Sequence, residues 1–158
     1  MSVDFEKTAE KPPIKDLVTC ILEEARMVLP GIQALFGFQL IAVFNQTFSS
    51  LTQSEKTLHL AAIVLTMIAI GLLLGPAAYD RQRQPHTFST HFVKIATKQL
   101  EWGLVPFALS MCLDLYLIAN LILDSAAIAS AIAGVALTFY FVIWFCYPRF
   151  EHWRHYGN

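Results

Sequence analysis

The sequence predicts an all-α, polytopic membrane protein with four transmembrane helices preceded by an amphipathic interfacial helix. Three observations predict it. Hydrophobic residues occupy 56 % of the 158 positions and charged residues only 15 %, against about 25 % charged in a typical soluble domain. The charges are gathered into a few segments, leaving long uncharged runs. Those runs approach the roughly 20 residues that a helix needs to cross a bilayer. A mean hydropathy of +0.52 excludes a disordered chain. Four spans would use roughly 80 residues, which leaves no room for a separate soluble domain.

Residues 1–13 carry Asp4, Glu6, Lys7, Glu10 and Lys11 and end in Pro12-Pro13, the composition of a flexible polar tail. They contain no apolar h-region. No cleavable signal peptide is expected, and the first span is expected to direct insertion. In residues 14–29, Ile14, Leu17, Val18, Ile21, Leu22, Ala25, Val28 and Leu29 recur at helical spacing. Lys15, Asp16, Thr19, Glu23, Glu24 and Arg26 fill the other face. This pattern predicts an amphipathic helix lying on the membrane or against the bundle. Pro30-Gly31 is expected to break or re-aim it.

The four-helix domain covers 30–148. Its first span is expected at 31–48, with Gln33, Gln39, Asn45 and Gln46 among apolar residues, and is followed by a polar loop at 49–57. The second span covers 58–79. A loop at 80–101, with a short helix suggested by Phe88, Phe92, Ile95 and Ala96, runs into a third span at 102–123. Asp124-Ser125 forms the turn, Asp124 being a candidate helix N-cap. The fourth span covers 126–147 and stops at Pro148, leaving 149–158 as a tail.

Lysine and arginine set the expected orientation. Ten of the eleven fall in the three segments that an even number of spans places on one side, and only Lys56 falls on the other. Both termini and the 80–101 loop are therefore expected in the cytoplasm. Trp102, Tyr147, Trp153 and Tyr156 cluster at the same interface, where amphipathic rings settle.

Asp114 is the outstanding residue. It falls near the middle of the third span, where a carboxylate costs about 2.5–3.5 kcal/mol on insertion scales. It should therefore face the bundle, protonated or hydrogen-bonded. No lysine or arginine lies in any span to pair with it. Counted from the cytoplasmic end, Gln39, Thr66, Thr138 and Tyr140 fall at similar depth. With Asp114 they are expected to form one intramembrane polar layer. Such a layer glues helices together, and a narrow ion path would need the same residues. Gly71 and Gly75 form a G-x-x-x-G, and Ala126, Ser130 and Gly134 a small-x-x-x-small ladder. Both are candidate helix-packing surfaces, within the chain or between chains.

No cofactor is expected. His86 and His91 are poorly spaced for one helix face, and His152 and His155 with Glu151 give too few ligands for a usual metal site. His59 opens the second span without a partner at its depth, and no pair of midplane histidines is present for haem. Cys20, Cys112 and Cys146 lack framework spacing and read as buried thiols. Asn45-Gln46-Thr47 matches a glycosylation sequon but falls inside an expected span. Nucleotide-binding, hydrolase and metalloprotease signatures are absent. The net charge of −1 gives no case for nucleic acid.

The stretch Glu24-Ala-Arg-Met-Val-Leu-Pro-Gly-Ile-Gln-Ala-Leu-Phe-Gly-Phe-Gln39 resembles the opening of a bacterial family known as domain of unknown function 6328. Gly75-Pro-Ala-Ala-Tyr-Asp-Arg81 and Val105-Pro-Phe-Ala-Leu, leading to Asp114-Leu-Tyr116, are similar too. The likeness covers roughly residues 15–148. It implies a small four-helix inner-membrane protein of bacterial source and brings no catalytic residue. Two functions remain open. One is a non-enzymatic accessory or scaffold subunit of an inner-membrane complex, or a homo-oligomer. The other is an oligomeric proton or cation channel or transporter using Asp114. The lipid bilayer is the expected surrounding in both.

Overall fold

The computed structural model describes residues 13–82, 90–147 and 149. It contains four long helices and one short one: α1 (Ile14–Ala42), α2 (Gln46–Ser50), α3 (Gln53–Gln82), α4 (Thr90–Leu123) and α5 (Ala126–Phe141). A π turn, Val142–Cys146, continues α5. Among the described residues four helices are long and apolar enough to cross a membrane, and the chain is a multi-pass membrane protein. The turns between α1 and α3 and between α4 and α5 lie at one end of the bundle, the α2 end.

The interfacial helix followed by a separate first span is not what forms. α1 is one helix of 29 residues that runs through Pro30. Its buried positions, Val18, Ala25, Ile32 and Gln39, repeat every seven residues, so a single stripe faces the bundle over the whole length. Pro30 and Gly31 both lie on the exposed side. The missing N–H and the ring of the proline therefore fall away from the packed stripe, and the helix continues.

The length of the helices explains where the charged half of α1 goes. At 1.5 Å per residue, α3 and α4 extend about 45 and 51 Å, well beyond a hydrocarbon core of about 30 Å. Away from the α2 end, Val18 packs against Phe92 and Ala96 of α4, with Ile14, Leu22 and Val93 around them. Val18 and Ala25, in the middle of the apolar stripe that suggested a membrane surface, are thus covered by protein, while Leu17 stays exposed. Further toward the α2 end, Ala25, Ile32, Leu73 and Leu100 form a second cluster, supported by Ile70 and Phe107.

α3 and α4 form the central pair, α1 packs on both, and α5 packs on α4. Small residues allow the central pair to approach closely: Ala62, Thr66 and Ala69 on α3, and Gly103, Ser110 and Ala119 on α4, are buried. A Cβ placed on Gly103 would stand 3.0 Å from Leu73 Cγ. No other residue type fits that contact without displacing a buried leucine.

The turns use different caps from those expected. Asn45 and Gln46 lie beyond the end of α1, because the helix stops at Ala42. Asn45 caps α2, its Oδ1 accepting from Thr47 N–H at 3.1 Å. The sequon thus sits in a turn and a short helix instead of inside a span. Thr52 and Glu55 form a capping box at the start of α3: Glu55 Oε2 accepts from Thr52 N–H at 2.8 Å, and Thr52 Oγ1 from Glu55 N–H at 3.3 Å. Asp124 is not an N-cap. Its φ of 47° is left-handed, and its N–H donates to Asn120 O at 2.9 Å, the αL ending of α4. Ser125 takes the N-cap position of α5 without a side-chain bond. His86, Glu151, His152, Trp153, His155 and Tyr156, singled out in the sequence, lie outside the described residues.

Candidate functional site

The polar side chains of the bundle gather at the α2 end. Gln39 stands three positions before the end of α1, His59 six positions after the start of α3, and Asp114 nine positions before the end of α4. Because α3 and α4 run in opposite directions, these offsets bring the three residues to one level.

Gln39 is the hub. Its Nε2 donates to Asp114 Oδ2 at 2.6 Å and to Ser110 Oγ at 2.9 Å. Both amide hydrogens are thereby used. Gln39 Oε1 is buried and has no partner, although a buried acceptor normally finds one. Ser110 Oγ lies 2.9 Å from Ala62 O and 2.6 Å from Thr66 Oγ1. Thr66 Oγ1 is also 3.1 Å from Ala62 O. Two hydroxyl protons thus serve three contacts, and the network ends on a helix carbonyl.

His59 completes the centre. It is buried, with 7 % of its surface exposed. Its Nε2 lies 2.9 Å from the backbone oxygen of Gln39. A carbonyl can only accept, so Nε2 carries a hydrogen. Nδ1 then faces Asp114 Oδ1 at 3.6 Å, an ion-pair distance longer than a hydrogen bond. If neither atom held a proton, two acceptors would face each other in a medium of low dielectric. One proton between them removes that repulsion and leaves the pair neutral, as Asp–COOH with imidazole or as carboxylate with imidazolium. The ring of Phe48 on α2 closes over His59, with centroids 5.5 Å apart at 64°.

The site residues predicted from sequence divide into groups. Gln39, Thr66 and Asp114 converge, through Ser110. Thr138 and Tyr140 do not join them. Thr138 is exposed and donates to Gly134 O in its own helix at 2.8 Å. Tyr140 packs on Trp144, the rings tilted by 33° with centroids 4.9 Å apart. Both line a cleft between α4 and α5 in the other half of the bundle, where Glu101 and Arg149 also lie. Similar depth did not bring Thr138 and Tyr140 in because α5 packs on α4, away from the face that α4 turns to α1 and α3. Gln39 itself lies near the end of α1, not at its centre.

Of the packing residues, Gly75 meets a neighbour: a Cβ there would stand 2.8 Å from Gln99 Oε1 on α4. A Cβ on Gly71 or Gly134 would meet nothing within 4 Å, and Ala126 and Ser130 are exposed. The ladder on α5 therefore points away from its own chain; Ala129 is the buried small residue of that helix. The cysteines also divide: Cys112 is buried, while Cys20 and Cys146 are exposed.

Ser110 escaped the sequence reading, and His59, expected to have no partner at its depth, has two, Asp114 and the backbone of Gln39. The signal for His59 was its distance from the helix start, set beside the distance of Asp114 from its helix end. Ser110 lies one helical turn before Asp114, so the two share a face.

A cavity of about 300 Å³ opens beside the centre. Gln39, His59 and Asp114 line it together with Asn45 and Thr47, and its walls are apolar, including Leu35, Phe38, Phe48, Leu117 and Leu121. An apolar hollow with a few converging polar groups is the usual form of a small-molecule site.

No curated protein matches the chain, and no solved structure does. A family model described as a family of unknown function, DUF6328, matches residues 16–148. That match takes in α2, α3, α4 and α5 and nearly all of α1, so the chain belongs to the DUF6328 family.

Proposed function

We propose that the chain is a non-enzymatic protein of the bacterial inner membrane, acting as an accessory or scaffold subunit of a larger complex or as a homo-oligomer. The observation that carries this reading is the outward small-residue face of α5. Ala126, Ser130 and Gly134 are exposed at x-x-x spacing, and among the described residues nothing lies within 4 Å of a Cβ on Gly134. Such a face admits another helix at close range. Ser130 already donates to Ala127 O at 2.9 Å, so docking there leaves no hydroxyl unsatisfied. The lysine and arginine split supports cytoplasmic termini.

Purification of the full chain from native membranes in mild detergent tests the proposal, beside Gly134→Leu. Co-purification with another protein in fixed stoichiometry, or a defined homo-oligomer, is expected, and the leucine should disrupt either one. A monodisperse monomer for both proteins would overturn it.

The alternative, an oligomeric proton or cation channel using Asp114, has less support. The polar centre is confined to the α2 end, and the cluster of Ala25, Ile32, Leu73 and Leu100 fills the bundle beyond it. Proton or cation flux in reconstituted vesicles, abolished by Asp114→Asn, would reverse that preference.

A further inference from the structure

We propose that the cavity at the α2 end binds a small amphiphilic amine as its ammonium ion, in exchange for the single proton shared by His59 and Asp114. This inference does not depend on how the chain associates with partners.

The exchange follows from charge and hydrogen-bond capacity. With its one proton the His59–Asp114 pair is neutral. Without it the pair carries one negative charge against apolar walls. A monovalent cation restores neutrality, and the displaced proton leaves to water. A primary ammonium carries three N–H donors. Deprotonation leaves acceptors in the same cluster: Asp114 Oδ1, which faces His59 Nδ1 at 3.6 Å, that nitrogen itself, and Gln39 Oε1, buried and already without a partner. The walls formed by Leu35, Phe38, Phe48, Leu117 and Leu121 suit an apolar body. A divalent metal is a poor fit, because hard cations need about six oxygen ligands and only one carboxylate lines the cavity.

The neighbouring charges do not compete. From α3, Glu55 is held by Thr52 and by Asn120, whose Nδ2 donates to Glu55 Oε1 at 2.9 Å. Lys56 donates to Ser49 O at 3.1 Å. α1 presents only Gln39 to the pair, α2 has no titratable side chain, and on α5 only Tyr140 titrates, far from this end. On α4 and at its end, Cys112, Tyr116 and Asp124 do not line the cavity, so among its lining residues only His59 and Asp114 titrate. No lysine or arginine lines the cavity to receive a phosphate, which favours a free amine over a phosphatidylethanolamine headgroup.

The test is titration calorimetry on the full chain in phosphatidylcholine nanodiscs, with 1-naphthylmethylamine as probe and 1-naphthylmethanol as its neutral counterpart. Repeating it in buffers of different ionisation enthalpy counts the protons released. Saturable binding of the amine with release of about one proton is expected, the alcohol binding at least tenfold more weakly. Affinity should rise about tenfold per pH unit while the pair retains its proton, then level off. Asp114→Asn should weaken amine binding at least tenfold. Leu121→Trp fills the cavity from an exposed position and should weaken it even if the asparagine variant fails to fold. Equal binding of amine and alcohol, binding without proton release, or full affinity in either folded variant would overturn the proposal. So would absence of saturable binding, or its loss when phosphatidylethanolamine replaces phosphatidylcholine, which would make the lipid the occupant.

Discussion

His59 Nδ1 on α3 faces Asp114 Oδ1 on α4 at 3.6 Å, while its Nε2 reaches the backbone of Gln39 on α1 at 2.9 Å. One imidazole thus touches all three helices that meet at the α2 end. Gln39 returns the connection through its side chain, donating to Asp114 and Ser110. The centre acts as a register pin, because sliding any one helix by a turn, about 5.4 Å, would break bonds to both others.

Gln39→Leu is expected to loosen α1. It strips Asp114 Oδ2 and Ser110 of a donor, and the loss of a buried hydrogen-bonding partner costs about 1–3 kcal/mol. The lower part of that range applies, because the substitution also removes the unpaired Gln39 Oε1. A double-mutant cycle with Asp114→Asn, read from unfolding of the reconstituted chain, should give a coupling of about 0.6–1.7 kcal/mol. Additive effects would mean that the two side chains do not meet.

Gly103→Ala and Gly71→Ala form a contrasting pair. The new Cβ at Gly103 meets buried Leu73 Cγ at 3.0 Å, whereas at Gly71 it meets nothing. Overpacking of this kind costs about 1–3 kcal/mol. The first variant should melt measurably lower than the wild type, and the second should match it. Equal melting of the two would contradict the close approach of α3 and α4.

Spin labels along α1 distinguish one packed helix from a membrane-surface helix. Labels at Lys15 and Glu23 should be accessible to a water-soluble relaxant, and labels at Val18 and Ala25 inaccessible to both water-soluble and lipid-soluble relaxants. High lipid accessibility at Val18 would restore the interfacial helix.

Reporter fusions test the proposed orientation. A fusion at Gln53 should read periplasmic and one at Gln84 cytoplasmic. The opposite result at either site would refute cytoplasmic termini.

The fold was largely legible because it rests on length and hydropathy. Four apolar runs and the turn at Asp124-Ser125 stand plainly in the sequence. The entry into the first span did not, because Pro30-Gly31 and mixed charge imitate a break. Only the heptad from Val18 to Gln39 shows that the stripe continues. Asp114 announced itself by the cost of its burial, whereas His59 looked like a surface residue at a helix start. Its burial depends on Phe48 and α2 folding over it, a long-range event without a local pattern. Thr138 and Tyr140 stay apart because α5 packs on α4, away from the residues that α1 and α3 bring together, and depth along a span does not show which helices are neighbours.

Solid-state NMR of the full chain in bilayers, with labelled histidine and aspartate, tests the three-helix centre most directly. A dipolar contact between His59 Nδ1 and Asp114 Cγ, with Nε2 protonated and slow to exchange, is the predicted result. A His59 ring that exchanges freely with water and shows no contact with Asp114 would contradict it.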